Sequence, residues 1–232
     1  MQHDIELWLT PEQTFNEQSV QRAVAQALEV KLSDISQVKL LKRAIDGRSR
    51  IPKYWLRLRV WINETPPPES PIKIDYQYVA NRPSVVIIGA GPAGLFAALR
   101  LIELGIKPIV LERGKTVRDR RRDLAAINKQ HIVNPNSNYC FGEGGAGTYS
   151  DGKLYTRSNK RGNIQQVLDT FVYHGASPDI LIETHPHIGT NKLPQIIEAM
   201  RQNILQCGGE FFFNTQVSDF VVKNNAIQGV VT

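Results

Sequence analysis

The stretch Val85 to Gly114, VVIIGAGPAGLFAALRLIELGIKPIVLERG, constrains this chain more than any other. The β-branched run Val85 to Ile88 predicts a strand buried on both faces, as a parallel sheet requires. Gly89, Gly91 and Gly94 follow as GxGxxG, at the junction with a helix over about Pro92 to Leu104. Each glycine has its own task. The first permits a tight turn, the second lets a pyrophosphate approach the backbone, and the third lets helix and strand pack closely. The helix aims free N–H groups and its positive dipole end at the phosphates. Lys107 to Leu111 reads as the second strand. Glu112 at its end lies 18 positions beyond Gly94, close to the ~20-residue spacing of an acid that grips a ribose hydroxyl. A structural glycine turn would account for the glycines, but not for strand, helix and acid in agreement. The expectation is an adenine dinucleotide, its phosphates over the helix opened by Gly91 and its sugar held by Glu112. That carboxylate would repel a 2′-phosphate, which argues against NADP at this turn, whereas FAD and NAD share the spacing.

Composition admits a soluble globular protein of one large or two small domains, 232 residues long with 41% hydrophobic and 22% charged side chains. The net charge of +6 suits an anionic cofactor and falls far short of a polycationic nucleic-acid arm. Cys140 and Cys207 form no CxxC, and the start MQHDIELW lacks a basic-then-apolar leader. A reducing cytoplasm is expected on both counts. The longest apolar run contains Gly, Pro and Arg100, so it is assigned to the nucleotide fold and not to a membrane span.

Residues 1 to 64 read as a small α+β domain. Ile5, Leu7 and Leu9 alternate as a strand; Val20, Ala23, Val24, Ala27 and Leu28 make a helical stripe; Val38 to Arg43 and Tyr54 to Ile62 read as two more strands. This strand–helix–strand–strand order resembles a ferredoxin-like half-unit. The segment 65–82, with its prolines, reads as a stiff linker. A dinucleotide-binding domain then runs over 83–232. Within it KTVRDRRRDL opens a helix whose Arg118, Arg120, Arg121 and Arg122 read as a solvated face, with phosphate contact the alternative. Ile164 to His174 reads as a helix ended by Gly175, and Thr190 or Asn191 as the cap of another running to Cys207. Glu210 to Val217 reads as a third strand, followed by a hairpin turning at Asn224 and Asn225.

Two likenesses sharpen this. GAGPAGL with a strand ending LERG resembles the FAD-binding opening of the glutathione-reductase-like flavoproteins. The glycine-rich loop of residues 138–158, with FGEGGAGTYSDGKL inside it, and THPHIGTNKL at Thr184 to Leu193 resemble a bacterial group of FAD-dependent dehydrogenases. In that group a small α+β domain also precedes the FAD domain. The resemblance implies a Rossmann-like FAD-binding domain on a parallel sheet, with FAD as cofactor and NAD(P)H as a candidate electron donor. It places Gly89, Gly91, Pro92, Ala93 and Gly94 at the pyrophosphate, Glu112 on the adenosine ribose with Arg113 beside it, and Val217 at the adenine. Gly144, Gly145, Thr148, Ser150 and Asp151 would approach the flavin or its phosphates. Relatives of this kind continue past the hairpin into another core strand, a second glycine turn and a substrate domain. The chain is therefore expected to be the N-terminal part of a longer enzyme, its sheet incomplete at the C-terminal end.

No catalytic residue is assigned, because flavin enzymes leave the redox step to the ring. Disulfide-reducing flavoenzymes carry a cysteine pair soon after the ribose acid. Cys140 stands alone and reads as a small buried residue. His185 and His187 read as a rigid turn, with proton transfer, anion binding or metal binding as alternatives, and Lys153 as a surface lysine or a carbonyl-polarising group. The main expectation is a cytoplasmic FAD-dependent oxidoreductase of undefined small-molecule substrate or electron acceptor, without membrane association. Two alternatives stand beside it. One is an inactive dinucleotide-binding remnant. The other is an N-terminal RNA- or protein-binding module, since alternation puts Trp8, Trp55 and Trp61 on one sheet face with Arg57 and Arg59. Docking of that face against the FAD domain, or its cover by a lid, is favoured over nucleic acid.

Overall fold

The computed structural model describes residues 1–156 and 162–232; Arg157 and Ser158, the end of the glycine-rich loop, lie outside the described residues. The chain divides into two compact units. One comprises Met1–Ile72, Leu154–Asp169 and Ser177–His187, the other Lys73–Lys153, Thr170–Ala176 and Ile188–Thr232.

In the first unit β1 (Gln2–Leu9) is followed by a short α1 (Pro11–Thr14), α2 (Glu17–Leu28), β2 (Ile35–Asp46) and β3 (Lys53–Ile62). Thr10 and Gln13 form a capping box that starts α1, and the Asn16 side chain caps α2 by accepting from the Ser19 N–H. The strands form an antiparallel sheet in the order β1–β3–β2. Leu7 pairs with Leu56 and Ile5 with Leu58, so alternation delivers one apolar face, on which Val24 of α2 is wholly buried. Residues 182–184 return alongside β2. The Arg43 N–H donates to the Ile182 carbonyl at 3.0 Å, and the Thr184 N–H donates back to the Arg43 carbonyl at 2.9 Å. The Arg43 guanidinium fixes that strip by gripping Glu183 at 2.8 Å.

The second unit is built on β4 (Ser84–Ile88), α3 (Pro92–Glu103), β5 (Lys107–Leu111), α4 (Val117–Gln130), the last turn of α5 (Ile164–Tyr173), α6 (Leu193–Gln206), β6 (Glu210–Phe212), β7 (Asp219–Lys223) and β8 (Ala226–Val231). The parallel sheet predicted from the first glycine turn is present, in the order β4–β5–β6. Helix α3 packs on β5 and against α6. Leu95, Leu99 and Ile102 of α3 and Ile196, Met200 and Ile204 of α6 are all buried. Each such side chain removed from water contributes about 1.5–3 kcal/mol. Asn224 and Asn225, at φ 52° and 58°, make the expected hairpin turn between β7 and β8.

Four expectations need correction. Strand β4 is not buried on both faces: Val85, Val86 and Ile88 are 42–51% exposed. The cause is position, since among the described residues β4 lies at the edge of its sheet and pairs with β5 alone. The third strand ends at Phe212 and not at Val217, because Asn214 turns left-handed (φ 53°) and breaks the pleat. Lys192, not Thr190 or Asn191, occupies the N-cap of α6, with no side-chain bond. The second half of the proline-rich segment is also anchored. Val79 is fully buried and its N–H donates to the Cys207 carbonyl at 2.7 Å, while the Tyr76 ring meets Tyr173 edge-on at 5.6 Å.

Candidate functional site

A cavity of about 360 Å³ opens where β4 and β5 end, within the ~300–1,000 Å³ range of small-molecule sites. The three glycines of the first turn stand as their spacing requires. Gly89 takes φ 96°, a left-handed conformation that side chains resist. A Cβ on Gly94 would fall 1.9 Å from the Gly89 carbonyl oxygen, so helix and strand touch there backbone to backbone. A Cβ on Gly91 would meet nothing within 4 Å. Gly91 lines the cavity and is the N-cap of α3 without a capping side chain, so the cavity reaches the start of the helix. That opening is what a bound pyrophosphate needs.

Glu112 lines the same cavity, only 5% exposed, and its carboxylate does more than its spacing suggested. Oε2 accepts the Ala90 N–H at 2.8 Å; Oε1 accepts the Gly114 N–H at 2.7 Å and the Gly142 N–H at 3.2 Å. One side chain thus joins the phosphate turn, the end of β5 and the second glycine loop. A carboxylate has about four acceptor positions, so roughly one stays open to a ligand hydroxyl. Arg113 stacks its guanidinium over the Phe141 ring at 4.1 Å and donates to Asn136 Oδ1 at 2.8 Å.

The second glycine loop is organised by an arginine that sequence pattern assigned to solvent. Arg120 is fully buried, in contrast to Arg121 and Arg122 on the same helix and to Arg118, which pairs with Glu198. Its Nε donates to the Asn138 carbonyl at 2.8 Å, Nη2 to Tyr139 at 2.9 Å, and Nη1 to Glu143 and Gly145, each at 2.8 Å. Burial pulls its pKa down, against the opposing pull of the Tyr149 and Glu112 side chains. Below the loop, Glu143 is fully buried between the Val117 N–H (2.7 Å) and Arg201 Nε (2.7 Å). Desolvation pushes its carboxyl pKa up, while those two donors oppose the rise. The signal for Arg120 was faint. Helical spacing sets Arg120 and Arg121 equally close to the stripe of Val117 and Leu124, and only Arg120 is buried.

Of the residues assigned to the ligand by sequence, Gly89, Gly91, Glu112, Arg113, Gly145 and Val217 converge on the cavity wall. Pro92, Ala93 and Gly94 form the first turn of α3 behind it. Gly144 and Thr148 are spent inside the loop: a Cβ on Gly144 would lie 2.3 Å from Thr148 Oγ1, and that buried hydroxyl bonds the Gly145 carbonyl at 2.9 Å. Ser150 and Asp151 stand outside the cavity wall, Ser150 bonded to the Gly147 carbonyl and Asp151 paired with Lys153 at 3.2 Å. Sequence reasoning passed over Phe141, Gly142, Thr215 and Gln216, which complete the wall. Cys140 is a correction, since it lines the cavity and is exposed.

Elsewhere, the tryptophan face of the first unit is occupied by internal pairs. Trp55 Nε1 donates to Glu6 at 3.1 Å, Arg59 forks onto Asp4 at 2.7 and 2.9 Å, and Trp61 is buried while Trp8 is exposed. Arg59 holds the Asp4 carboxyl below its usual pKa, chiefly through those hydrogen bonds. The His185 ring lies 4.6 Å from that of Tyr155. Among the described residues no group of three His, Cys, Asp or Glu side chains could hold a metal ion, and no helix is long and apolar enough to cross a membrane.

Comparison with known families and proteins bears on this geometry. Residues 82–232 match a family described as FAD binding domain, and residues 1–61 match a domain of unknown function (DUF8436). An uncharacterized protein of Clostridium beijerinckii is 34% identical over 230 residues, covering 91% of this chain and 42% of that protein. A thiamine thiazole synthase of Aeropyrum pernix is 26% identical over 152 residues, covering 65% of this chain and 43% of that protein. The chain thus spans less than half the length of either relative.

Proposed function

This chain belongs to the FAD binding domain family, and from that premise we propose that the cavity between Gly91 and Glu112 seats the ADP half of FAD in a flavin-dependent oxidoreductase. Membership of the family supports FAD as the cofactor and flavin-dependent oxidoreduction as the general activity. The observation that carries the assignment of the site is the open space at Gly91, beside a cavity that Glu112 also lines. On this reading the free N–H groups at the start of α3 hold the pyrophosphate, with charge-assisted bonds and the helix dipole acting together. Glu112 offers its remaining acceptor position to a ribose hydroxyl. Val217, with Thr215 and Gln216, borders the adenine. Bound there, FAD supplies the redox chemistry of its isoalloxazine ring.

The finer reading is a dehydrogenase using NAD(P)H as electron donor, with substrate and acceptor undefined, working in the cytoplasm as part of a longer enzyme. Its support is the likeness of the second glycine-rich loop and of Thr184 to Leu193 to the bacterial dehydrogenase group. The ferredoxin-like description of residues 1–64 rests on their strand–helix–strand–strand order. A nucleic-acid role for that unit draws no support from its tryptophan face, where acids neutralise Arg59. The test is a titration of the purified protein with FAD, followed by gel filtration and a visible spectrum. Retention of about one flavin per chain supports the proposal. A colourless protein that ignores added FAD refutes it.

A further inference from the structure

Resting on that reading of the cavity, a second assignment concerns the residue that shapes the loop along its wall. The loop from Asn138 to Thr148 sorts several of its polar backbone groups by direction. Carbonyls of Asn138, Tyr139, Glu143 and Gly145 turn toward the buried Arg120 guanidinium. Two N–H groups turn the other way, that of Gly142 to Glu112 and that of Gly144 to the Ala90 carbonyl of the first glycine turn at 2.8 Å, while that of Gly145 closes on the Gly142 carbonyl within the loop. Left-handed glycines make this sorting possible, with φ 116° at Gly142, 81° at Gly144 and 71° at Gly145. Arg120 also runs directly beneath Gly142, where a Cβ would fall 2.6 Å from its Cδ. Gly145 is thereby held against Gly91, a Cβ there lying 3.6 Å from the Gly91 Cα.

We propose that Arg120 is the positioning residue of the dinucleotide site. From beneath the loop it draws in the carbonyl oxygens that would otherwise face the phosphates, and it holds the loop against Gly91 and Glu112. Burying a guanidinium is costly unless its donors are satisfied. Here the loop backbone satisfies them, so arginine and loop order one another. Lysine cannot take this role, because a compact ammonium lacks the planar fork that reaches carbonyls on several sides.

The experiment compares wild type with Arg120→Lys, Arg120→Met and Arg122→Met, the last removing an equal charge from an exposed position of the same helix. Three quantities are read: FAD affinity, the ratio of ADP to adenosine affinity by calorimetry, and the rate at which iodoacetamide modifies Cys140 without ligand, followed by mass spectrometry. The expected result for Arg120→Lys is FAD binding weaker by roughly tenfold and Cys140 modified about threefold faster or more. The preference for ADP over adenosine should fall by about threefold or more, since carbonyls released toward the cavity oppose phosphate. A residue that only stabilised the fold would weaken both ligands alike and leave that preference intact. Arg122→Met should match wild type throughout. If Arg120→Met fails to fold, the lysine variant decides. An unchanged ADP preference and an unchanged Cys140 rate in Arg120→Lys would overturn the proposal. A wild-type protein that ignores FAD would sink the reading of the function instead, while the Cys140 rates would still decide whether Arg120 orders the wall.

Discussion

The two glycine-rich segments of this chain reach order by opposite routes. Around Gly89, Gly91 and Gly94 the instructions are local. A strand, a left-handed turn and a helix N-terminus each follow from residues within a few positions, and backbone meets backbone at Gly94. Around Gly142, Gly144 and Gly145 the glycines only permit a shape. The shape itself is imposed from outside the loop, by Arg120 on α4 and by the Glu112 carboxylate at the end of β5. Glycine density alone therefore says little about rigidity. What matters is whether the backbone groups that glycine liberates find fixed partners.

Substitutions can break this comparison. Gly94→Ala should have the largest effect, because its Cβ meets backbone that cannot move aside. We expect a loss of about 3 kcal/mol or more, read as a fallen urea midpoint or as insoluble protein. Gly91→Ala should do the reverse, costing under about 1 kcal/mol of stability while weakening FAD binding, since its methyl enters the open space. Gly144→Ala should fall between them at about 2 kcal/mol, given its φ of 81° and a clash with the Thr148 and Ile197 side chains, which can shift. Glu112→Gln keeps one acceptor oxygen but turns an amide donor toward a backbone N–H. A loss of about 1–3 kcal/mol is expected, with weaker FAD binding alongside it.

A smaller effect, outside both segments, sharpens the contrast by serving as their control. His174 is buried, its Nδ1–H donating to the Thr170 carbonyl at 2.7 Å. Burial holds its pKa below the usual 6.5, against the opposing effect of that carbonyl. Because the folded value is depressed, the unfolded chain takes up the proton first. The contribution to stability is present above about pH 6.5 and is lost as pH falls through the folded value. Melting temperature should decline on acidification through this window, and His174→Gln should flatten the decline while leaving FAD affinity at neutral pH unchanged.

Much of this molecule was legible in its sequence because the determining residues are neighbours. The parallel pair β4–β5, the span of α3, the Asn224–Asn225 hairpin and the alternation that sorts Leu7 from Trp8 all follow from short-range periodicity. What escaped was long-range. The fate of Arg120 depends on a loop about twenty residues downstream, and charge composition alone assigns such a run to solvent. Cys140 was expected inside because cysteine usually is, yet its loop folds around Arg120 and leaves the thiol at the cavity. The exposure of Val85 and Val86 follows from sheet order, which no local pattern encodes. Glu112 was located by its spacing, but its bonds to Ala90 and Gly142 required the fold.

Cys140 offers the most direct measurement, since it is an exposed residue that lines the cavity. Its alkylation by iodoacetamide should be followed with and without saturating FAD, with Cys207 as the internal reference. FAD should slow modification of Cys140 by about tenfold and leave Cys207 unchanged. Equal rates at Cys140 with FAD demonstrably bound would place the cofactor elsewhere and contradict the assignment of this cavity.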